Sequence, residues 1–92
     1  MRILVSYDIS DDKRRREVAK IMEGAGYRVQ YSVFECDLNG KQLKQLQRSL
    51  KPLVNPRQFE SIRFYPLVAE AAQRVTVIGY DMSRSLGAVE IV

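Results

Sequence analysis

The 92-residue chain contains no histidine and no tryptophan, and only one cysteine. Without imidazole, Ser-His-Asp and Cys-His catalysis are excluded, as is every zinc site built on histidine. The commonest general base near neutral pH is also missing. Cys36 can form no internal disulfide, which fits a reducing compartment. In an apolar-alternating stretch it reads as a small core residue rather than a nucleophile. Glycines at 24, 26, 40, 79 and 87 fall in no GxGxxG or P-loop spacing, so a nucleotide cradle has no support. No apolar run approaches the ~20 residues of a membrane span. Met1 to Asp8 is too short, and acidic too soon, for a signal peptide. The expectation is a soluble, cytoplasmic domain with no membrane partner, whose chemistry must run on carboxylates, arginines and a metal ion.

Fifteen Lys and Arg stand against eleven Asp and Glu, a net charge of +4, and 46% of residues are apolar. These are globular proportions for one small domain. A core this thin gains from self-association. Ile3-Leu4-Val5-Ser6-Tyr7 reads as a strand with Ile3, Val5 and Tyr7 on one face and Leu4, Ser6 and Asp8 on the other. Ser10-Asp11-Asp12 is a helix start, and Val18, Ile21, Met22 and Ala25 follow at the spacing of one buried stripe. Gly24 and Gly26 are candidates for a left-handed C-cap. Tyr27 to Leu38 alternates like a strand, but its apolar parity flips. That requires a bulge, a bend or a tight connection, and a bend near Tyr31 or Ser32 is the expectation.

Asn39 to Gln42 resembles a capping box opening a second helix, with Leu43, Leu46 and Leu50 inward and Pro52 at its end. Ser61 to Leu67 is a third β region, Glu70 to Gln73 a short helical connection, Val75 to Gly79 a further strand, and Val89 to Val92 a last one. The order predicts an α+β, ferredoxin-like βαββαβ sandwich with an extra C-terminal strand, residues 1–80 forming the domain and 81–92 a tail. Both helices then cover one sheet face. The uncovered face predicts a symmetric homodimer.

Asp8 ends the first strand beside an aromatic, where an aspartate is disfavoured. Asp11 and Asp12 are accounted for as partners of a helix N-terminus. One carboxylate cannot hold a catalytic ion tightly, but two Asp8 copies across a dimer axis could hold Mg²⁺ together with water and phosphate. Lys13, Arg14, Arg15 and Arg16 form either a solvated face or a phosphate contact. Arg28, Lys41, Lys44, Arg48, Lys51 and Arg57 make a second basic surface, the footprint of a nucleic-acid backbone. The eight aromatics, Phe59 among them, could stack bases, although most sit at strand spacing where packing is the ordinary role.

The segments ILVSYDISDD, GYRVQYSVFECDL, SIRFYPL and VTVIG, over residues 2 to about 80, resemble the small CRISPR-associated nuclease-like family, Cas2. The resemblance implies a ferredoxin-like homodimer whose C-terminal strand crosses to its partner. It also implies spacer acquisition beside the adaptation integrase, with the dimer holding foreign DNA. It further implies Mg²⁺- or Mn²⁺-dependent endonuclease activity on RNA or double-stranded DNA. Matched residue by residue, Asp8 is the metal ligand, Tyr7 lies beside it, and Arg15, Arg28 and Phe34 complete the catalytic set. Arg14, Arg16, Lys41, Lys44 and Arg48 are nucleic-acid contacts. A non-catalytic DNA-binding adaptor is the alternative, and a small-ligand regulatory module a more distant one.

Overall fold

The computed structural model describes residues 1–80 and the strand Val89–Glu90. The elements are β1 (Arg2–Asp8), α1 (Asp12–Glu23), β2 (Gly26–Gln30), β3 (Val33–Asp37), α2 (Gly40–Leu50), β4 (Ser61–Leu67), α3 (Ala69–Gln73), β5 (Gly79–Tyr80) and β6 (Val89–Glu90). Single 3-10 turns at Lys51–Leu53 and Pro56–Gln58 carry the chain from α2 to β4.

β1 is half-buried by alternation, with Ile3, Val5 and Tyr7 enclosed and the intervening residues partly or fully open. α1 begins where the Asp11 carboxylate accepts the Arg14 backbone N–H at 2.8 Å, with Asp12 in the first turn against the helix dipole. Its inward stripe is anchored by Val18 and Met22, both 0% exposed. α2 opens with a reciprocal capping box: Asn39 Oδ1 accepts from Gln42 N at 2.8 Å, and Gln42 Oε1 accepts from Asn39 N at 2.9 Å. Leu46 and Leu50 point into the same core.

The four main strands lie in the order β2-β3-β1-β4, every pair antiparallel. With α1 and α2 on one face, this is the expected ferredoxin-like βαββαβ sandwich, complete by Leu67. The other face carries Leu4, Val33, Tyr65 and Leu67, none of them enclosed, and no element of the described chain covers it.

Three local expectations are corrected. Gly24 ends α1 in the right-handed region, at φ −78° and ψ −14°, with its N–H closing a tighter bond to Ile21 O. The helix stops without a left-handed residue. Gly26 is needed for space instead: a Cβ there would collide with the Glu35 carbonyl and lie 2.8 Å from Cys36 Sγ. The parity flip between Val33 and Phe34 is resolved where expected, at Tyr31–Ser32, but by a hairpin of two strands rather than a bend in one, with a bulge between Arg28 and Gln30. Val75 to Gly79 is not a strand. Among the described residues only Gly79–Tyr80 of this stretch pairs, with Val89–Glu90, in a separate two-stranded ladder. The rest of the expected tail, 81–88 and 91–92, lies outside the described residues.

Adding the Gly26 methyl tests the close approach of β2 to β3. Gly26→Ala should lower unfolding stability in urea by about 1–3 kcal/mol, as overpacking does. Gly40→Ala, where nothing lies within 4 Å, should be neutral or slightly stabilising.

Candidate nucleic-acid interface

β1 delivers Asp8 to the end of the uncovered face, exposed, in register with Ser61 of β4. The other acids of that face lie toward its opposite end and are paired: Glu35, in register with Leu4, lies 3.7 Å from Arg2, and Asp37, in register with Arg2, lies 3.2 Å from the N-terminal ammonium. Among the described residues Asp8 makes no ion pair. Register places Ser6 and Ser61 on the same face. The donors there are all oxygen, the class Mg²⁺ prefers. No group of three or more metal-ligating side chains exists among the described residues. One chain therefore offers a single carboxylate here, which would fit a divalent ion only with further oxygens from elsewhere.

Tyr7 and Phe34 face the helix layer. Tyr7 is 4% exposed and Phe34 0%, their rings stacked at 6.2 Å between centroids. Burial pushes the Tyr7 phenol above its ordinary pKa, and its hydroxyl donates to Tyr31 O at 3.4 Å. Neither ring has surface to offer a substrate, so both act as the floor beneath the strand end rather than as contacts. Arg28 sits at the rim of this floor, its guanidinium carbon 5.1 Å from the Phe34 ring centroid and 6.0 Å from that of Tyr31. Among the described residues its only ion pair is a 3.4 Å contact with exposed Glu23.

The helix-one arginines divide sharply. Arg15 pairs with Asp12 and donates Nη1 to Ile9 O at 3.2 Å, clamping the backbone one residue past Asp8. Arg14, expected to contact phosphate, is committed internally. It donates Nη1 to Leu53 O at 2.8 Å and to Glu60, and Nη2 to Glu60 at 2.9 Å and to Gln58 at 3.3 Å. Arg16 stays exposed on the outer side of α1.

Glu60 was not legible as important in the sequence, because its partners lie 46 and 50 residues away. It is 6% exposed and accepts from Ser10 N at 3.0 Å, Ser10 Oγ at 2.6 Å and Asn55 N at 2.9 Å besides Arg14. Lys41, Lys44 and Arg48 are exposed on α2, which has no acid in its eleven residues. At spacings of three and four they line one side of the helix. They belong to the helix layer, away from the face that carries Asp8.

The family model "CRISPR associated protein Cas2" matches residues 1–75. A protein of Chloroflexus aurantiacus named CRISPR-associated endoribonuclease Cas2 3 is 44% identical over 80 residues, covering 87% of this chain and 85% of that one. The crystal structure of Streptococcus pyogenes Cas2 superposes with a TM-score of 0.74 at 36% identity, covering 86% of this chain and all of that one. A chain of a partial Cas6-RT-Cas1–Cas2 complex gives 0.70 at 29% identity, covering 84% and 89%. The fold and these matches place the protein among small ferredoxin-like CRISPR components. The chain belongs to the Cas2 family.

Hydrogen bonds from Arg14 and then Ser10 hold the Glu60 carboxyl well below the ordinary glutamate value of 4.5. A depressed folded pKa gives stability that is present above the unfolded value and is lost as pH falls below it. Thermal melts should therefore fall steeply below about pH 4.5. In Glu60→Gln the melting temperature should be lower at neutral pH and its acid dependence visibly flatter.

Proposed function

We propose that the protein is a CRISPR adaptation component that acts in the cytoplasm as a symmetric homodimer and cleaves phosphodiester bonds in a divalent-metal-dependent manner. RNA is the substrate class favoured by the endoribonuclease name of its relative, with double-stranded DNA as a second. The observation that carries this reading is Asp8: an exposed carboxylate without an ion pair among the described residues, on a sheet face that the chain leaves uncovered. Pairing two such faces through Leu4, Val33, Tyr65 and Leu67 would bury their apolar surface and bring two Asp8 tips toward one cleft. Mg²⁺ or Mn²⁺ held there by Asp8 would neutralise a scissile phosphate and acidify bound water. The remaining work falls to the chain. Arg15 and the Tyr7–Phe34 floor fix the strand end, and Arg28 offers a rim cation to phosphate.

The direct test is cleavage of labelled single-stranded RNA and duplex DNA in Mg²⁺. Asp8→Ala should lose roughly 100-fold or more in rate, since a catalytic metal supplies several kcal/mol of charge stabilisation. Wild-type rates from a folded Asp8→Ala dimer would end the catalytic reading.

A second reading, a non-catalytic adaptor that holds duplex DNA beside the integrase, is favoured by one observation: the acid-free α2 with Lys41, Lys44 and Arg48. The similar fold of a chain in the partial Cas6-RT-Cas1–Cas2 complex supports the partner. Replacing all three cations with alanine should weaken duplex binding and reduce the slope of log affinity against log salt by about 2.7, at about 0.9 per phosphate. Arg14→Ala should leave that slope unchanged.

A further inference from the structure

The most exposed large apolar side chain among the described residues is Phe59, 93% open to solvent. It is also the only non-glycine residue there with a positive φ, at 59°. Both facts run against ordinary folding preference: an aromatic gains from burial, and a side chain with a Cβ is disfavoured in the left-handed region. The loop that presents it is nonetheless tightly built. Asn55 Oδ1 accepts from Arg57 N at 3.1 Å, and Phe59 N donates to Pro56 O at 3.1 Å. Gln58 and Glu60, on either side of Phe59, are both bonded to Arg14 and Ser10 of the α1 start. The ring is held in water by a rigid frame.

Its place follows from register. Ser61, two residues on, pairs with Asp8, and adjacent strands lie about 5 Å apart. Phe59 therefore stands at the same end of the sheet as the Asp8 carboxylate. Its loop neighbours Arg57 and Gln58 are exposed and polar, and Arg57 makes no ion pair among the described residues. The exposed Met1 and Val68 lie at the opposite ends of β1 and β4. An exposed aromatic flanked in the chain by Gln58 and Glu60, beside an arginine, suits a flat ring with a charged backbone attached better than it suits an apolar protein face.

We infer that Phe59 is a stacking platform for an unpaired base of single-stranded nucleic acid, with Arg57 beside it for the adjoining phosphate. Resting on the nuclease reading above, this assigns how a substrate strand is seated next to Asp8. It also explains why the frame from Ser10 to Glu60 is so completely hydrogen-bonded, since it fixes the ring relative to the carboxylate.

The test measures binding of a short single-stranded oligoadenylate RNA, and of an abasic strand of equal length, to the full chain in EDTA. Wild type should bind the base-bearing strand more tightly. Phe59→Ala should lose roughly 5- to 150-fold on that strand, the range for one base–aromatic stack, with no change on the abasic strand. Phe59→Trp should keep the preference. Phe59→Gly removes the ring while relieving the positive φ, so its loss of preference cannot be assigned to unfolding. Equal binding by Phe59→Gly and wild type, or equal losses on both strands, would overturn the assignment. So would intact preference accompanied by loss of the dimer, which would make the ring a contact between copies. Asp8→Ala separates the two readings: cleavage unaffected by it sinks the nuclease but spares the stack, whereas lost cleavage with an inert Phe59 does the reverse.

Discussion

A nearly buried carboxylate with no room for error organises the functional end of this molecule. Glu60 joins the start of α1, through Ser10 and Arg14, to the loop that leads into β4. No side-chain polar atom is left buried without a partner among the described residues. A charge so enclosed is tolerated only when every lone pair is met, so removing either Glu60 or Arg14 strands the other. Arg15 adds a second hold on the chain at Ile9. Between them, these contacts fix the two strand ends that meet at Asp8 and Ser61.

Much of the architecture was legible because it is local. The alternation of Ile3, Val5 and Tyr7, the Asn39–Gln42 capping box and the leucine spacing of α2 each express a short-range rule, and each stands in the structure. The exceptions were non-local. Gly26 looked like a helix stop until the Glu35 carbonyl of the neighbouring strand showed why it must be glycine. Val75 to Ile78 had strand composition but pairs with no strand among the described residues, and composition cannot supply a partner.

The candidate site divides along the same line. Asp8 was conspicuous as a carboxylate where a strand should have none. Tyr7 and Phe34, named from resemblance, prove to be packed beneath the strand end, a role that strand parity already suggested. Arg14 could not be told from Arg15 in a run of basic residues. The acid that separates their roles sits 46 positions along the chain. Phe59 was visible only as one aromatic among eight, since neither its exposure nor its positive φ has a sequence signature.

Two surfaces emerge, the acidic tip of an uncovered sheet and a basic helix on the opposite layer, and the proposed cutting and DNA-holding readings draw on each separately. What joins them is the claim that two copies complete one metal site. Counting Mn²⁺ bound per chain in the purified protein, by titration followed with paramagnetic resonance, addresses that claim most directly. One ion for every two chains, lost in Asp8→Asn, is the predicted result; one ion per chain, or binding unchanged by that substitution, would contradict it.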